Sequence, residues 1–330
     1  MSLFLKKFST HQEYEQYING SGAILPNVSI CTTEGDVHYN PLEPEPPHDY
    51  SQDYFTMVVT SGGDIKWSGS TADNTLSYSK DNGDNWSSVT SADTISVAAD
   101  DKVLWKGTPT PLSDAFKGIG KFSGDTNARY SVEGNAMSLL FGDDFKGQTN
   151  LNGKNYAFDD LFGTNTNVTS AENLSLPATT LTKYCYYRMF QNCTALTTAP
   201  ELPATTLAMD CYDSMFFGCT SLTTAPSVLP ATTLSIYCYN YMFGSCASLT
   251  TAPELLATTL ADKCYQRMFQ RCTNLNSIKC LAADISASDC TYNWVNGVAS
   301  SGTFTKAASM SSWTTGGSGI PNGWTVVDAQ

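Results

Sequence analysis

Two rhythms of apolar and polar positions divide this chain. Between residues 51 and 120, apolar and polar side chains alternate in "YFTMVV", "TLSYSK", "TISVAA" and "KVLWKG", with turn residues such as "SGG" and "DNGDN" between the runs. Alternation places neighbouring side chains on opposite faces of a strand, so this stretch predicts a small antiparallel β domain, a sandwich. From about residue 150 the rhythm changes. Cysteines fall at 185, 211, 238 and 264, and again at 193, 219, 246 and 272. Within a unit, Cys185, Tyr186, Met189, Phe190 and Cys193 stand at i, i+1, i+4, i+5 and i+8, which fits one face of a helix. "LTTAP" then predicts a short extended segment, and "LPATTL" turns the chain back.

Degenerate units flank this array. "YAFDDLFGTNTNVTSA" repeats the pattern 28 residues early, with Tyr156, Leu161, Phe162 and Val168 in register and Asn165 in the second cysteine column. "DCTYNWVNGV" repeats it 26 residues late, with Cys290 in register and Val298 in the second column. A period of 20–29 residues with an Asn/Cys position ahead of leucine is the signature of a leucine-rich solenoid, whose coils bury their apolar faces by stacking. The tail "SMSSWTTGGSGIPNGWTVVDAQ" offers Trp313, Ile320, Trp324, Val326 and Val327 to cover the last coil.

The predicted fold class is α+β, in four parts. Residues 1–48 form an N-terminal docking module and Pro-rich linker, 49–128 the β-sandwich-like domain, 129–300 the repeat solenoid and 301–330 a C-terminal cap. In the first part, Thr10 and Glu13 read as a capping box, Tyr14, Tyr17 and Ile18 share a helical face, and Gly20 is a stop. Asn40 to Tyr50, "NPLEPEPPHDY", reads as an extended linker.

Charge narrows the partners. The net charge is -13 and it is uneven: residues 1–175 hold 23 Asp/Glu against 11 Lys/Arg, and 176–280 hold 5 against 6. That balance argues against nucleic acid, which needs clustered basic residues. No run of about 18 apolar residues is present, so no membrane insertion is predicted. The opening "MSLFLKKFSTHQEYEQYING" lacks the apolar core of a secretory signal, which suggests another route out of a cell, such as assembly into a particle.

The paired cysteines raise the question of chemistry. Zinc sites favour short Cys spacings, usually with His, whereas His11, His38 and His48 all precede the repeats. A nucleophilic thiolate needs a base, and none of these histidines lies nearby. Eight helical residues rise about 12 Å, too far for a disulfide within a unit unless the chain bends between the cysteines, which the helix-face pattern argues against. Bridges between stacked coils stay open by distance, although parallel Cβ vectors disfavour them. The favoured reading is reduced, buried cysteine acting as a small hydrophobe, with no metal and no cofactor implied.

Two other patterns invite functional readings. Ser79, Asp81, Gly83 and Trp86 in "YSKDNGDNW" resemble the Asp-box of sialidases, a motif whose role is to hold a hairpin turn. "GDD" (Asp143, Asp144) and "FDD" (Asp159, Asp160) are carboxylate pairs that suggest glycoside hydrolysis or calcium, though such pairs are more often solvated faces or caps.

A ligand face follows from comparing the units with one another. Four columns drift where the inward ones do not. They hold Tyr187, Asp213, Asn240 and Gln266; Arg188, Ser214, Tyr241 and Arg267; Gln191, Phe217, Gly244 and Gln270; Asn192, Gly218, Ser245 and Arg271. All lie off the apolar face. Neutral drift on a solvated surface competes with the functional reading, in which Tyr and Arg serve glycan stacking or protein hot spots.

The unit "LPATTL…CYYRMFQNCTALTTAPE", with "FQNCTAL" at Phe190 to Leu196, resembles the BspA-like leucine-rich repeat proteins of Bacteroides, over roughly residues 130–330. "YSKDNGDNWSSV" and "KVLWKG" look like the β module that often precedes such repeats. The resemblance implies a non-catalytic surface adhesin or binding protein. The opening segment "LKKFSTHQEYEQYING…ILPNVSICTTEGDVHYNP" is similar to N-terminal parts of phage structural proteins. It shifts the expectation to a homo-oligomeric fibre or receptor-binding protein on a virion surface. Its N-terminal module would meet other virion proteins, and its repeats a bacterial surface glycan or protein. A bacterial cell-surface adhesin binding host protein or glycan is the alternative.

Overall fold

A computed structural model describes residues 48–69, 76–109, 118–311 and 313–330. The expected docking module and linker lie outside the described residues, apart from His48. Tyr50–Gln330 form one unit. Its β strands are β1 (Phe55–Ser61), β2 (Gly63–Gly69), β3 (Leu76–Ser79), β4 (Ser87–Val89), β5 (Ile95–Val97), β6 (Lys102–Lys106), β7 (Gly120–Gly124) and β8 (Arg129–Asn135), then β9 (Val168–Ser170) and β10 (Leu174–Ser175). The parallel strands β11 (Val228–Leu229), β12 (Glu254–Leu255), β13 (Ser277–Cys280), β14 (Thr303–Lys306) and β15 (Thr325–Asp328) follow.

The first strands build two antiparallel sheets. One runs β8-β1-β6-β3-β4, and the other β5-β2-β7. They meet through aromatic residues. Phe122 of β7 lies 4.8 Å from both Trp67 of β2 and Trp105 of β6, and 5.8 Å from Phe55 of β1. The alternation seen in the sequence is the inward set of this core. Strand β2 carries too weak an alternation to be read beforehand, because glycines end it and only Ile65 and Trp67 face in. The Asp-box stretch closes the β3–β4 hairpin. Ser79 Oγ donates to Asp81 Oδ1 at 2.6 Å, the Asn85 amide N–H donates to the same oxygen at 2.9 Å, and Trp86 Nε1 donates to Gly83 O at 3.0 Å. The bonds from Ser79 and from the Asn85 side chain and amide hold the Asp81 carboxyl at about 2, and the motif is a turn brace.

Strand β8 joins this domain to the repeats. It pairs antiparallel with β1 and parallel with β9 and β10, so the border at 128/129 runs through a shared sheet.

The repeats correct the α+β expectation. The chain is mostly sheet with few helices, and its one described α-helix, α1 (Ser138–Phe141), has four residues. The "CYYRMFQNC" segments are not helices. Backbone N–H groups alternate between two targets. Tyr187, Met189 and Gln191 donate back three residues, to Tyr184, Tyr186 and Arg188, closing successive tight turns. Tyr186, Arg188, Phe190 and Asn192 donate instead to Cys211, Asp213, Met215 and Phe217 of the next coil, at 2.7–3.0 Å. With a positive φ at Tyr184, Arg188 and Asn192, the backbone repeats every four residues, and its inward set coincides with the i, i+1, i+4, i+5, i+8 pattern that a helix also satisfies. Periods of 4 and 3.6 cannot be separated over nine residues, which is why the facing was legible and the backbone was not.

This arrangement needs a left-handed residue every fourth position. Tyr184, Arg188 and Asn192 have φ of 60°, 55° and 57°, and the same columns recur in each coil. L-residues occupy that region at a cost of about 1–2 kcal/mol each, which the coil-to-coil hydrogen bonds offset. Gly218 fills one such position naturally, at φ 74°, and Ser245 occupies its counterpart one coil on, at 63°. Ser245→Gly is expected to stabilise the fold by roughly 0.5–1 kcal/mol and Ser245→Val to destabilise it by about as much or more, read from urea midpoints.

Inside, identical residues form ladders. Phe162, Phe190, Phe216, Phe243 and Phe269 stack with ring centroids 5.2–5.7 Å apart, and Tyr186, Tyr212 and Tyr239 do so beside them. All ten described cysteines are free and buried. The second cysteine column does more than fill space: Cys193, Cys219, Cys246 and Cys272 donate Sγ–H to the carbonyls of Phe162, Phe190, Phe216 and Phe243 in the preceding coil, at 2.9–3.1 Å. Asn165 takes the same role at the start of the array, giving Nδ2–H to Phe122 O and Tyr130 Oη. Burial pushes the thiols up, Cys185 to about 12. Native protein should therefore leave the cysteines from 185 to 290 unmodified by iodoacetamide at pH 8, and denatured protein should expose all of them, by peptide mass mapping.

The residues expected to cover the last coil divide. Trp313 stacks on Trp294 at 5.6 Å, and Ile320 and Trp324 are buried. Val326 and Val327 instead lie on β15, 44% and 40% exposed, where that strand forms the end of the parallel sheet. Among the described residues no helix is long and apolar enough to cross a membrane.

Candidate functional site

The left-handed positions and their neighbours make an outer ridge along the solenoid, and the drifting columns lie on it. Five positions of the four columns turn inward, Gly218 and Gly244 together with three that carry polar side chains. Asp213, Ser214 and Asn240 are buried, with Ser214 Oγ donating to Asp213 Oδ1 at 2.6 Å and Asn240 Nδ2 donating to Asp213 Oδ2 at 2.8 Å. They brace two coils and are out of reach of a partner. The tight turns bring these columns closer to the core than a helix would, which is the physical reason they were misread as solvated.

The others remain at the surface in two groups. Phe217, Tyr241 and Arg267 form one. The Arg267 guanidinium lies 5.1 Å from the Tyr241 ring centre and 5.5 Å from that of Tyr292, its Nη1 donates to Tyr241 Oη at 2.6 Å, and Phe217 meets Tyr241 edge-on at 5.6 Å. Gln266 and Gln270 are half-buried beside it, and Arg271 is exposed. Tyr187, Arg188, Gln191 and Asn192 form the second group, with Arg188 exposed and its guanidinium 4.4 Å over the Tyr187 ring.

Arg188 and Gln191 of this second group line an open cleft of about 470 Å³ against the β domain, together with Ser68, Gly69, Gly118, Gly120, Lys121, Asp159, Asp160 and Thr164. The cleft sits where β7 meets the first coil, at the hydrogen bond from Phe122 N to Leu161 O of 2.8 Å. Two glycines allow the approach. A Cβ on Gly118 would lie 2.8 Å from the carbonyl oxygens of Asp159 and Tyr156, and one on Gly120 would meet the Trp67 ring at 2.5 Å.

The two acids behave differently. Asp160 pairs with Lys121 at 2.9 Å, and Lys121 also donates to Thr164 Oγ1 at 3.3 Å. Asp159 is 8% exposed, and no described residue donates a hydrogen bond to its carboxylate. Burial, then the Asp160 charge, lift its carboxyl to about 7, with Arg188 and Lys121 pulling the other way. The second pair is plainer: Asp143 accepts from Tyr54 Oη at 2.6 Å and from Lys106 Nζ at 2.7 Å. Among the described residues no cluster of three or more His, Cys, Asp or Glu is arranged to hold a metal.

Asp159 and Asp160 lie outside the predicted ligand face, although the repeat carries a signal for them. Shifting the repeat back 28 residues puts them in the columns of Tyr187 and Arg188, and Thr164 in that of Asn192. Lys121 and the glycines carry no such signal, because only folding brings β7 to the solenoid. Comparison of the chain with protein-family models, with curated proteins and with solved structures found no match.

Proposed function

We propose that this protein is a non-catalytic adhesion protein. The leucine-rich, BspA-like repeat array is its recognition element, carried on a phage particle as a fibre or receptor-binding protein and directed at a bacterial surface. The observation that carries this reading is the contrast within each coil. The inward ladders keep Cys, Tyr, Met, Phe and Cys in coil after coil, while the ridge on the same rigid backbone changes at almost every step. A rigid frame holding Tyr, Arg and Gln side chains in a row pays little ordering entropy on binding, which favours a recognition surface.

Binding of labelled full-length protein to bacterial cells tests it. Joint replacement of Tyr187, Arg188, Gln266 and Arg271 by alanine should weaken cell binding at least tenfold while the thermal transition stays in place. Unchanged binding would rule out the ridge. Mass spectrometry of purified particles tests the location, and recovery from a bacterial envelope instead would favour the cell-surface adhesin.

A further inference from the structure

We propose that the cleft between β7 and the first two coils is a saccharide site that takes a neutral hexose unit of a surface polysaccharide. It rests on the recognition role proposed above and assigns that role a place and a ligand chemistry. The decisive feature is Asp159. The residue is more than nine-tenths buried, and a carboxylate on such a residue ordinarily gathers donors, because desolvating it without hydrogen bonds is costly. Here the acceptor lines a cleft, and no described residue donates to it. A ligand that brings hydroxyl donors supplies what the fold withholds.

Donors surround this acceptor. The Arg188 guanidinium lies face-on to Tyr187, an arrangement that leaves its N–H edges available. Gln191 and Ser68 line the same cleft, as do Lys121 and Thr164, which bond to each other while Lys121 pairs with Asp160. Vicinal sugar hydroxyls both donate and accept, so they can satisfy Asp159 and Arg188 together. The volume falls within the usual range for small-ligand clefts.

Charge selects among saccharides. With Asp159 ionised, as at pH 8, two acids, Asp159 and Asp160, face two bases, Lys121 and Arg188, among the described residues, so these groups sum to no net positive charge, and the chain carries -13. A uronate or sulfated sugar would meet Asp159 and Asp160 at close range and the field of the whole protein beyond them. A neutral hexose meets neither penalty. The ionised form of Asp159 is the acceptor. The charged groups facing it are Asp160, Lys121 and Arg188, with Tyr156 adjacent. Affinity should therefore fall about tenfold between pH 8 and pH 6, as a carboxyl near 7 becomes protonated.

The test uses the full chain on an array of neutral and acidic glycans, followed by calorimetry with the best neutral oligosaccharide at pH 8 and pH 6. Expected are binding to neutral glycans, the pH dependence above, and losses of at least tenfold in Asp159→Asn and Arg188→Gln. Lys279→Gln, on the parallel sheet where Lys279 pairs with Glu254, should bind as the wild type does. Urea unfolding of each variant verifies the fold, and Gln191→Ala, expected to lose threefold or more, serves where another variant fails. Glycan binding that survives Asp159→Asn and Arg188→Gln overturns the cleft. Cell binding without any neutral-glycan binding, or with acidic glycans preferred, overturns the ligand assignment and leaves the adhesion reading intact. Loss of cell binding in the ridge variant together with no glycan binding points to a protein partner and also overturns it.

Discussion

Asp159→Asn raises the unfolding free energy at pH 8 by on the order of 3 kcal/mol, and the gain shrinks to below about 1 kcal/mol at pH 4. The sign follows from the direction of the shift. Burial lifts the folded-state carboxyl from 3.8 to about 7, so folding favours the protonated form. Asp159's contribution to stability is fully present below the unfolded value of 3.8 and is lost as pH rises through about 7. Asp210, raised to about 6 by burial and the Asp213 charge, adds to the trend. The wild type should thus be more stable at pH 5 than at pH 8. Carboxyls held low by hydrogen bonds or lysines, such as Asp101, Asp125 and Asp143, lose their contribution only as pH falls below 3.8. They leave the window from 5 to 8 clear. Urea unfolding followed by tryptophan fluorescence at pH 5, 6, 7 and 8 reads the effect. A wild-type-to-variant difference that does not vary with pH would show that Asp159 is solvated or paired. A side chain that weakens its own fold and whose removal also weakens binding is retained for the binding.

The second large effect is in the phenylalanine ladder. Phe216→Ala should cost about 3–5 kcal/mol, since the ring is fully buried between Phe190 at 5.7 Å and Phe243 at 5.4 Å. Phe216→Leu, which keeps most of the volume, should cost less than about 1.5 kcal/mol. The consequence is not only a lower midpoint. Each coil contacts only its neighbours, so weakening one junction uncouples the two sides. Hydrogen exchange should show protection lost first from Cys211 toward the C-terminus, with the β-sandwich and the first coils still closed. A single cooperative loss across residues 50–330 would contradict a nearest-neighbour stack.

Much of this fold could be read in the sequence, and the misreadings have specific causes. Strands β1, β3, β5 and β6 were visible because each presents alternate side chains to one core. The solenoid was visible because copies of one unit must stack in register. Its backbone was not, since the alternation of hydrogen bonds between turn and neighbouring coil leaves no mark on which residues face in. Its left-handed positions were hidden as well, being filled mostly by Tyr, Arg, Asp, Lys, Ser, Asn and Thr, with the residue that usually signals them at Gly218 and Gly297. The ligand face was found by column and then split by burial. Arg188 stayed outside while Asp213 and Asn240 went in, because a polar side chain at such a position can satisfy either water or the next coil. The cleft was beyond reach, since Lys121 and Asp159 meet only through contacts made on folding.

The direction of the coil-to-coil hydrogen bonds has a mechanical consequence. Bonds such as Arg188 N to Asp213 O and Phe190 N to Met215 O run along the stacking axis. Tension along that axis loads one junction at a time, so a tether pulled from the C-terminal end would peel coil by coil. Each event would release 26 or 27 residues, a step of roughly 9 nm of extended chain. Force applied across the axis would instead be shared by every bond of a junction at once. A protein held at one end and gripped on its flank would yield gradually in the first geometry and resist in the second.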